Sequence, residues 1–211
     1  MKVWILIFVC MFSMPLLIAV LHFRMRKGQI LKIRQDYVKN ARYFGRSFSS
    51  LVEKALPEMK NGMIMLSRQE KVLETDGNQE FVQPDIEDLV IARNTIFCPQ
   101  QEDLHFQKEI YSEKDALFVK ENIRLRAVYS KKRLLFGNKI RLLRWADAEH
   151  AVAVYDECDL GERVSSGEQL VIGFDNIFHS LYAPVIRLGQ RPEEPDRFME
   201  KRDPRIFRMP V

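Results

Sequence analysis

Positions 110, 128, 146 and 164 read Ile, Val, Ala and Val, and two residues after each stand Ser112, Ser130, Ala148 and Ser166. Six residues further on come Phe118, Phe136, Val154 and Ile172. The chain therefore repeats with a period of 18 residues over four consecutive copies, without an insertion at these positions. A short fixed period of this kind marks a solenoid, in which each repeat is too small to bury its own apolar face and must stack on its neighbours.

Within each copy the apolar residues alternate. Ala116 and Phe118, Leu134 and Phe136, Val152 and Val154, and Leu170 and Ile172 stand two residues apart, which places both members of a pair on one face of a strand. These eight residues are the expected inner columns. Further pairs follow at Ile123/Leu125 and Ile140/Leu142, one residue out of step, with Leu160 and Ile177 continuing them singly. Ser112, Ser130, Ala148 and Ser166 form a column of small residues where a larger side chain would crowd a corner. Gly137 and Gly173 stand 36 residues apart, two turns of the repeat. Three short strands per turn make a mainly β chain built as a three-sided parallel β-helix over 86–189, with successive turns about 4.8 Å apart.

The N-terminal part is of another kind. From Val3 to His22 there is no Asp, Glu, Lys or Arg. Twenty residues at about 1.5 Å each span roughly the 30 Å hydrocarbon layer of a bilayer. The run ends in Ala19-Val20-Leu21-His22-Phe23, a poor signal-peptidase site, so residues 1–23 are expected to be a retained transmembrane anchor. Residues 24–60 carry ten Lys/Arg against three Asp/Glu. Arg24, Arg26 and Lys27 directly follow the span, and the positive-inside tendency places the C-terminal bulk in the cytoplasm.

Apolar residues at Ile33, Tyr37, Ala41, Phe44, Phe48, Leu51, Val52 and Leu56 recur at three and four. They predict an amphipathic helix over 29–56, weakened at Gly45 and ended by Pro57. Its apolar stripe must pack on a solenoid end, a partner helix or the bilayer, and the first of these is the preferred expectation. Residues 61–85 read as a short strand and a polar linker. Residues 190–211, with Pro192, Pro195, Pro204 and Pro210, read as a Pro- and charge-rich tail with a dockable segment at Ile206-Phe207-Arg208-Met209.

The segments Ser112-Glu-Lys-Asp-Ala-Leu-Phe-Val119, Ser130-Lys-Lys-Arg-Leu-Leu-Phe-Gly137 and Ser166-Gly-Glu-Gln-Leu-Val-Ile-Gly173 resemble the repeat of bactofilins, the polymer-forming cytoskeletal proteins. Asp88-Leu-Val-Ile-Ala-Arg-Asn94 is similar to their opening strand. The resemblance covers roughly 86–189. It implies a right-handed three-sided β-helix, cytoplasmic and membrane-associated, that assembles end to end without nucleotide or other cofactor. The expected partners are then other copies of the chain, membrane lipid and membrane or cell-envelope proteins, with no nucleic acid. The corners are poorer in Gly and Asn than that pattern, Trp145 is bulky, and long segments flank both ends. If those segments cover the ends, the chain is a non-polymerising adaptor.

A hexapeptide acyltransferase also uses 18 residues per turn, but it wants a branched aliphatic every six. Stepping by six from Ser112 gives Phe118, Arg124, Ser130, Phe136, Leu142, Ala148, Val154, Leu160, Ser166, Ile172 and Phe178, which fits that pattern only in part. A membrane-tethered acyltransferase with His179 or His150 as base at an inter-subunit cleft is the alternative reading. His22, His105, His150 and His179 are scattered, and no metal-ligand spacing or phosphate loop stands out. Cys158 lies between Glu157 and Asp159, which disfavours a thiolate. Arg124, Arg126, Arg141 and Arg144 form a possible basic strip for an anionic lipid, protein or polymer.

Overall fold

The computed structural model describes residues 4, 11–15, 17–18, 40–75, 81, 83–94, 96–97 and 103–192. The chain divides into two compact units, residues Met1–Gln35 and Asp36–Val211. In the first, Trp4, Met11–Pro15, Leu17 and Ile18 are helical and exposed. Most of the expected anchor, and Arg24, Arg26 and Lys27, lie outside the described residues. Among the described residues no helix is long and apolar enough to cross a membrane.

The second unit is a parallel β-solenoid of about six turns. Among its described residues, the helix α1 (Tyr43–Ala55) and a 3-10 turn (Leu56–Glu58) precede the strands β1 (Met63–Met65), β2 (Gln69–Thr75), β3 (Asp85–Ile86), β4 (Leu89–Ala92) and β5 (Ile96–Phe97). They continue as β6 (His105–Ser112), β7 (Ala116–Phe118), β8 (Arg124–Ser130), β9 (Leu134–Phe136) and β10 (Arg141–Ala148). The last are β11 (Ala151–Val154), β12 (Arg163–Ser166), β13 (Gln169–Ile172), β14 (Leu181–Tyr182) and β15 (Val185–Leu188).

Successive strands of the coil feed two long sheets in alternation, so that each turn adds a strand to both. The first runs β1-β2-β4-β6-β8-β10-β12-β14, with β3 attached to β6, and the second runs β5-β7-β9-β11-β13-β15. Every pairing is parallel except β1 with β2. Through the centre the register follows the repeat: Ser112 pairs with Ser130, Ala148 with Ser130 and Ser166, and Phe136 with Phe118 and Val154. A third, narrower series joins Asp85, His105, Arg124, Arg141, Asp159 and Ile177. It belongs to the first halves of β6, β8 and β10, which bend round a corner at register shifts after Phe106 and Leu142.

The interior is apolar. Ala116, Phe118, Leu134, Phe136, Val152, Val154, Leu170 and Ile172 are all buried in one cluster with Ile123, Leu125, Ile140, Leu142 and Leu160. Phe118 and Phe136 lie ring to ring at 6.0 Å. Ile177 does not continue an inner column: it pairs with Asp159 and is 64% exposed. The next residue, Phe178, follows Ile177 as inward Leu160 follows Asp159. A single residue per side makes the inward phase at that corner ambiguous in the sequence.

The small column is held by hydroxyls. Ser130 Oγ donates to Lys114 O at 2.5 Å and accepts from Lys132 N at 3.1 Å. Ser166 Oγ likewise donates to His150 O at 2.5 Å and accepts from Glu168 N at 3.2 Å. Serine therefore serves the corner both by size and by closing the turn. A second corner places one residue per turn in the left-handed region, at Asp103, Asn122, Lys139, Glu157 and Asp175, with φ between 55° and 60°. Asn and Asp tolerate this conformation, whereas Lys and Glu are strained by it.

The solenoid begins earlier than residue 86, because β2 already pairs in parallel with β4. In Gln69-Glu-Lys-Val-Leu-Glu-Thr75 only Val72 and Thr75 are buried, too little alternation to be read as a strand. The helix is shorter than expected. Residues 40–42 form a turn, in which Asn40 Oδ1 accepts from Arg42 N at 3.0 Å and Asn40 O from Tyr43 N at 3.0 Å; residues 29–39 lie outside the described residues. Nor does α1 cover a solenoid end. It lies across the outer face of the first sheet, where Phe48 and Val52 pack with Tyr111, Ala127, Tyr129 and Trp145. The outward column Tyr111-Tyr129-Asp147-Ser165 is buried by this contact, and the two tyrosines stack at 5.7 Å.

Gly45 sets how closely α1 approaches. A Cβ there would overlap the Asp147 side chain. Gly45→Ala gains about 1 kcal/mol of helix propensity but forces the helix off the sheet, at about 1–3 kcal/mol. We expect net destabilisation in urea unfolding; a raised midpoint would show that the approach is not tight. At the left-handed corner, Glu157→Asn should stabilise by about 0.5–1 kcal/mol and Glu157→Val should destabilise. Equal midpoints for the two variants would remove corner strain from the account.

Candidate functional surface

The most concentrated polar arrangement is buried, under the N-terminus of α1. Arg42 Nε donates to Asp147 Oδ1 at 2.8 Å and Nη2 to Asp147 Oδ2 at 3.1 Å, with both side chains at most 5% exposed. Nη2 also donates to Ala148 O at 2.9 Å and Nη1 to Glu149 Oε2 at 3.1 Å. Ser165 Oγ donates to Asp147 Oδ1 at 2.7 Å and Tyr129 OH to Glu149 Oε1 at 3.1 Å. Burial pushes the Asp147 carboxyl up, opposed by Arg42 and Ser165. Glu149 is held below its ordinary range: its own burial opposes this, but the Arg42 guanidinium prevails. Every polar atom is matched, so the cluster locks the helix to the coil. Ala148 lacks the hydroxyl its column neighbours use, and Arg42 grips that rung from outside.

Further along α1, Glu53 accepts from Tyr111 OH and Ser49 Oγ, each at 3.2 Å, and pairs with Lys131 at 2.9 Å. A shallow groove here is lined by Arg46, Ser49, Ser50, Glu53, Tyr129, Lys131 and Glu149. Its charges are already paired.

Among the described residues no three His, Cys, Asp or Glu side chains gather as a metal site. His150 Nδ1 lies 2.5 Å from Glu168 Oε1, and His179 Nδ1 lies 3.0 Å from Gly161 O, at different corners. His105 faces Asp85 at 3.1 Å. Cys158 is 1% exposed, and its thiol donates to Gly137 O at 3.0 Å. Burial pushes that thiol up to about 12, against backbone hydrogen bonds from Ile140 and Lys139.

Of the expected basic strip, Arg124 and Arg141 are register neighbours and exposed. Arg126 and Arg144 sit at the corner bend, where Arg126 pairs with Glu109 at 3.1 Å. Acidic neighbours temper the strip, since Asp159 follows Arg141 in the same series. Lys131, Arg133 and Lys139 pair with Glu53, Asp115 and Glu121.

The two ends of the solenoid differ. At the N-terminal end, β1 folds antiparallel onto β2 and closes the edge of the first sheet. At the C-terminal end, β14 and β15 are the last strands of their sheets. Leu181, Ile186 and Leu188 continue the inner columns of Val164, Leu170 and Ile172. With no turn above them among the described residues, Ile186 is 42%, Leu188 58% and Phe178 40% exposed. Phe174, Ile177, Tyr182 and Val185 add to this apolar surface. Sequence reasoning missed Arg42 and Asp147, whose only signal is an acid in the otherwise small or apolar run Trp145-Ala-Asp-Ala148.

The described part of the second unit is thus a β-solenoid with a helix fastened to its flank and one end that no described strand covers. No protein-family model, curated protein or solved structure matches the chain.

The raised thiol makes Cys158 inert in the folded chain. Its alkylation at pH 8, followed by peptide mapping, should be slower than in urea by on the order of a thousandfold, the thiolate fraction lost between an ordinary thiol and a pKa of about 12. Equal rates would mean that the site opens readily.

Proposed function

We propose that the chain is a membrane-anchored structural protein, bactofilin-like, that self-associates and scaffolds partners at the cytoplasmic membrane face. In this reading the coil is right-handed and three-sided. The three series of parallel pairings support three-sidedness, and the charge-free run before Arg24 supports the anchor.

The observation that carries the reading is the C-terminal end, which no described residue covers. Inner-column residues Phe178, Ile186 and Leu188 meet solvent, with Leu181 half-buried, beside edges of β14 and β15 that no described strand pairs. An apolar core cut open next to free strand edges is a template for adding another chain. Because β1 closes the first sheet at the other end, head-to-tail growth is disfavoured. Two copies joined C-terminal end to C-terminal end, an isologous contact, satisfy both edges at once. A short assembly of this kind suits a scaffold, and Arg124 and Arg141 on the exposed flank suit contact with anionic lipid.

The test is the double variant Ile186→Asp/Leu188→Asp in analytical ultracentrifugation of detergent-solubilised protein. The unaltered chain should sediment as a dimer or larger and the variant as a monomer, with its circular-dichroism spectrum retained. A monomeric unaltered chain, or an assembly indifferent to both aspartates, would sink the reading.

A further inference from the structure

The outer face of the second sheet carries an apolar stripe that the solenoid itself does not explain. Leu117, Leu135, Ala153 and Val171 are register partners on successive strands, and they lie on the opposite face from the inner residues Phe118, Phe136, Val154 and Ile172. Outward residues of a bare coil meet water. Leu117 and Leu135 are nevertheless 0% exposed and Ala153 is 3% exposed. The apolar neighbours packed on them among the described residues are Val119 and Tyr155, themselves half-buried. The next outward column reads Val119, Gly137, Tyr155 and Gly173, and both glycines are buried. The face is therefore flat and apolar, and covered most deeply away from the open end, where Val171 is half-buried and Arg187 exposed.

We infer that the chain's own C-terminal tail, residues 193–211, docks along this stripe as an extended strap. The path of the chain leads there. After β15 the backbone turns at Gly189, with φ +65°, and Gln190 N donates to Ile172 O at 3.2 Å. Arg191 then reaches back two turns, its guanidinium 2.8 Å from Asp156 Oδ2, beside Tyr155 and Gly173. Residues 189–191 thus bring the chain to the border of the stripe.

Reach and chemistry fit. Nineteen residues extend to about 60 Å, whereas Ala153 to Leu117 crosses two turns, about 10 Å. The tail carries Phe198, Met199, Ile206, Phe207 and Met209 for the apolar stripe. Its first residues include Glu193, Glu194 and Asp196, complementary to Lys120 beside Val119. Lys120 and Tyr155 are each engaged in a further contact beyond those named above. Proline at 195, 204 and 210 suits an extended segment laid over a sheet face, which needs no ladder hydrogen bonds. This inference stands apart from self-association, because the stripe and the open end are different surfaces.

The experiment places a photo-reactive amino acid at Tyr155 in the full chain, in mild detergent, using a mixture of isotopically light and heavy protein. Mass spectrometry should find crosslinks from position 155 to peptides of residues 193–211 within the same copy, at a yield independent of protein concentration. Phe207→Asp with Ile206→Asp should lower that yield roughly tenfold, the loss expected when apolar anchors leave their site. Crosslinks to residues 1–39, crosslinks between light and heavy copies, no crosslink, or a yield unmoved by the two aspartates would each overturn it. Sedimentation of the same samples reports the open end separately, so the two readings fail independently.

Discussion

Everything in the coil depends on one constraint: no turn can satisfy itself. Each strand of the coil is two to eight residues long and makes its ladder hydrogen bonds to the turns above and below. Each inner side chain covers, and is covered by, its counterpart one period away. Stability is then a sum of nearest-neighbour contacts, strongest in the middle and weakest wherever the series stops. The ends, the flank and the corners are places where this rule must be met by other means.

The flank shows one such means. Tyr111, Tyr129, Asp147 and Ser165 sit on the outer face of the first sheet, where solvent would ordinarily reach them, and α1 covers them. The cover is held by apolar contact through Phe48 and Val52 and by the matched charges of Arg42, Asp147 and Glu149. The buried pair contributes specificity more than net stability, because its desolvation offsets much of its attraction. It fixes which turn the helix sits on and how far along. At the N-terminal end a reversed strand provides the stop. At the C-terminal end the described residues offer nothing comparable.

The inner columns were legible because a fixed period converts residue type directly into position. Four aligned Phe, Val and Ile positions need no further knowledge to be placed inside. The serine column was legible for the same reason, although its hydroxyl bonding is a matter of geometry. Less could be read where a single residue decides. Ile177 falls outward because it stands one full period after Asp159, so the inward place after Leu160 passes to Phe178, and Lys139 and Glu157 adopt left-handed backbone that their chemistry does not advertise. The polar β2 gave no alternation to read. The place of α1 was hidden because Arg42 and Asp147 are 105 residues apart, and nothing in either neighbourhood names the other. Gly45 reads as a weakness in a helix and is the point of closest approach. Of the surfaces, the open end follows from where the repeat stops, whereas the covered outer stripe is visible only once register separates inside from outside.

The Arg42 cluster also sets how the solenoid would answer a mechanical load. Any tension arriving through the segment before Asn40 reaches the coil sideways, at a bidentate ion pair on its flank, rather than along the stack of turns. Such a load is borne first by a few charge-assisted bonds arranged to be peeled in sequence. The strand ladders, which resist shear collectively, lie behind them. The helix would yield as a detachable latch and expose the stacked tyrosines while the coil keeps its register.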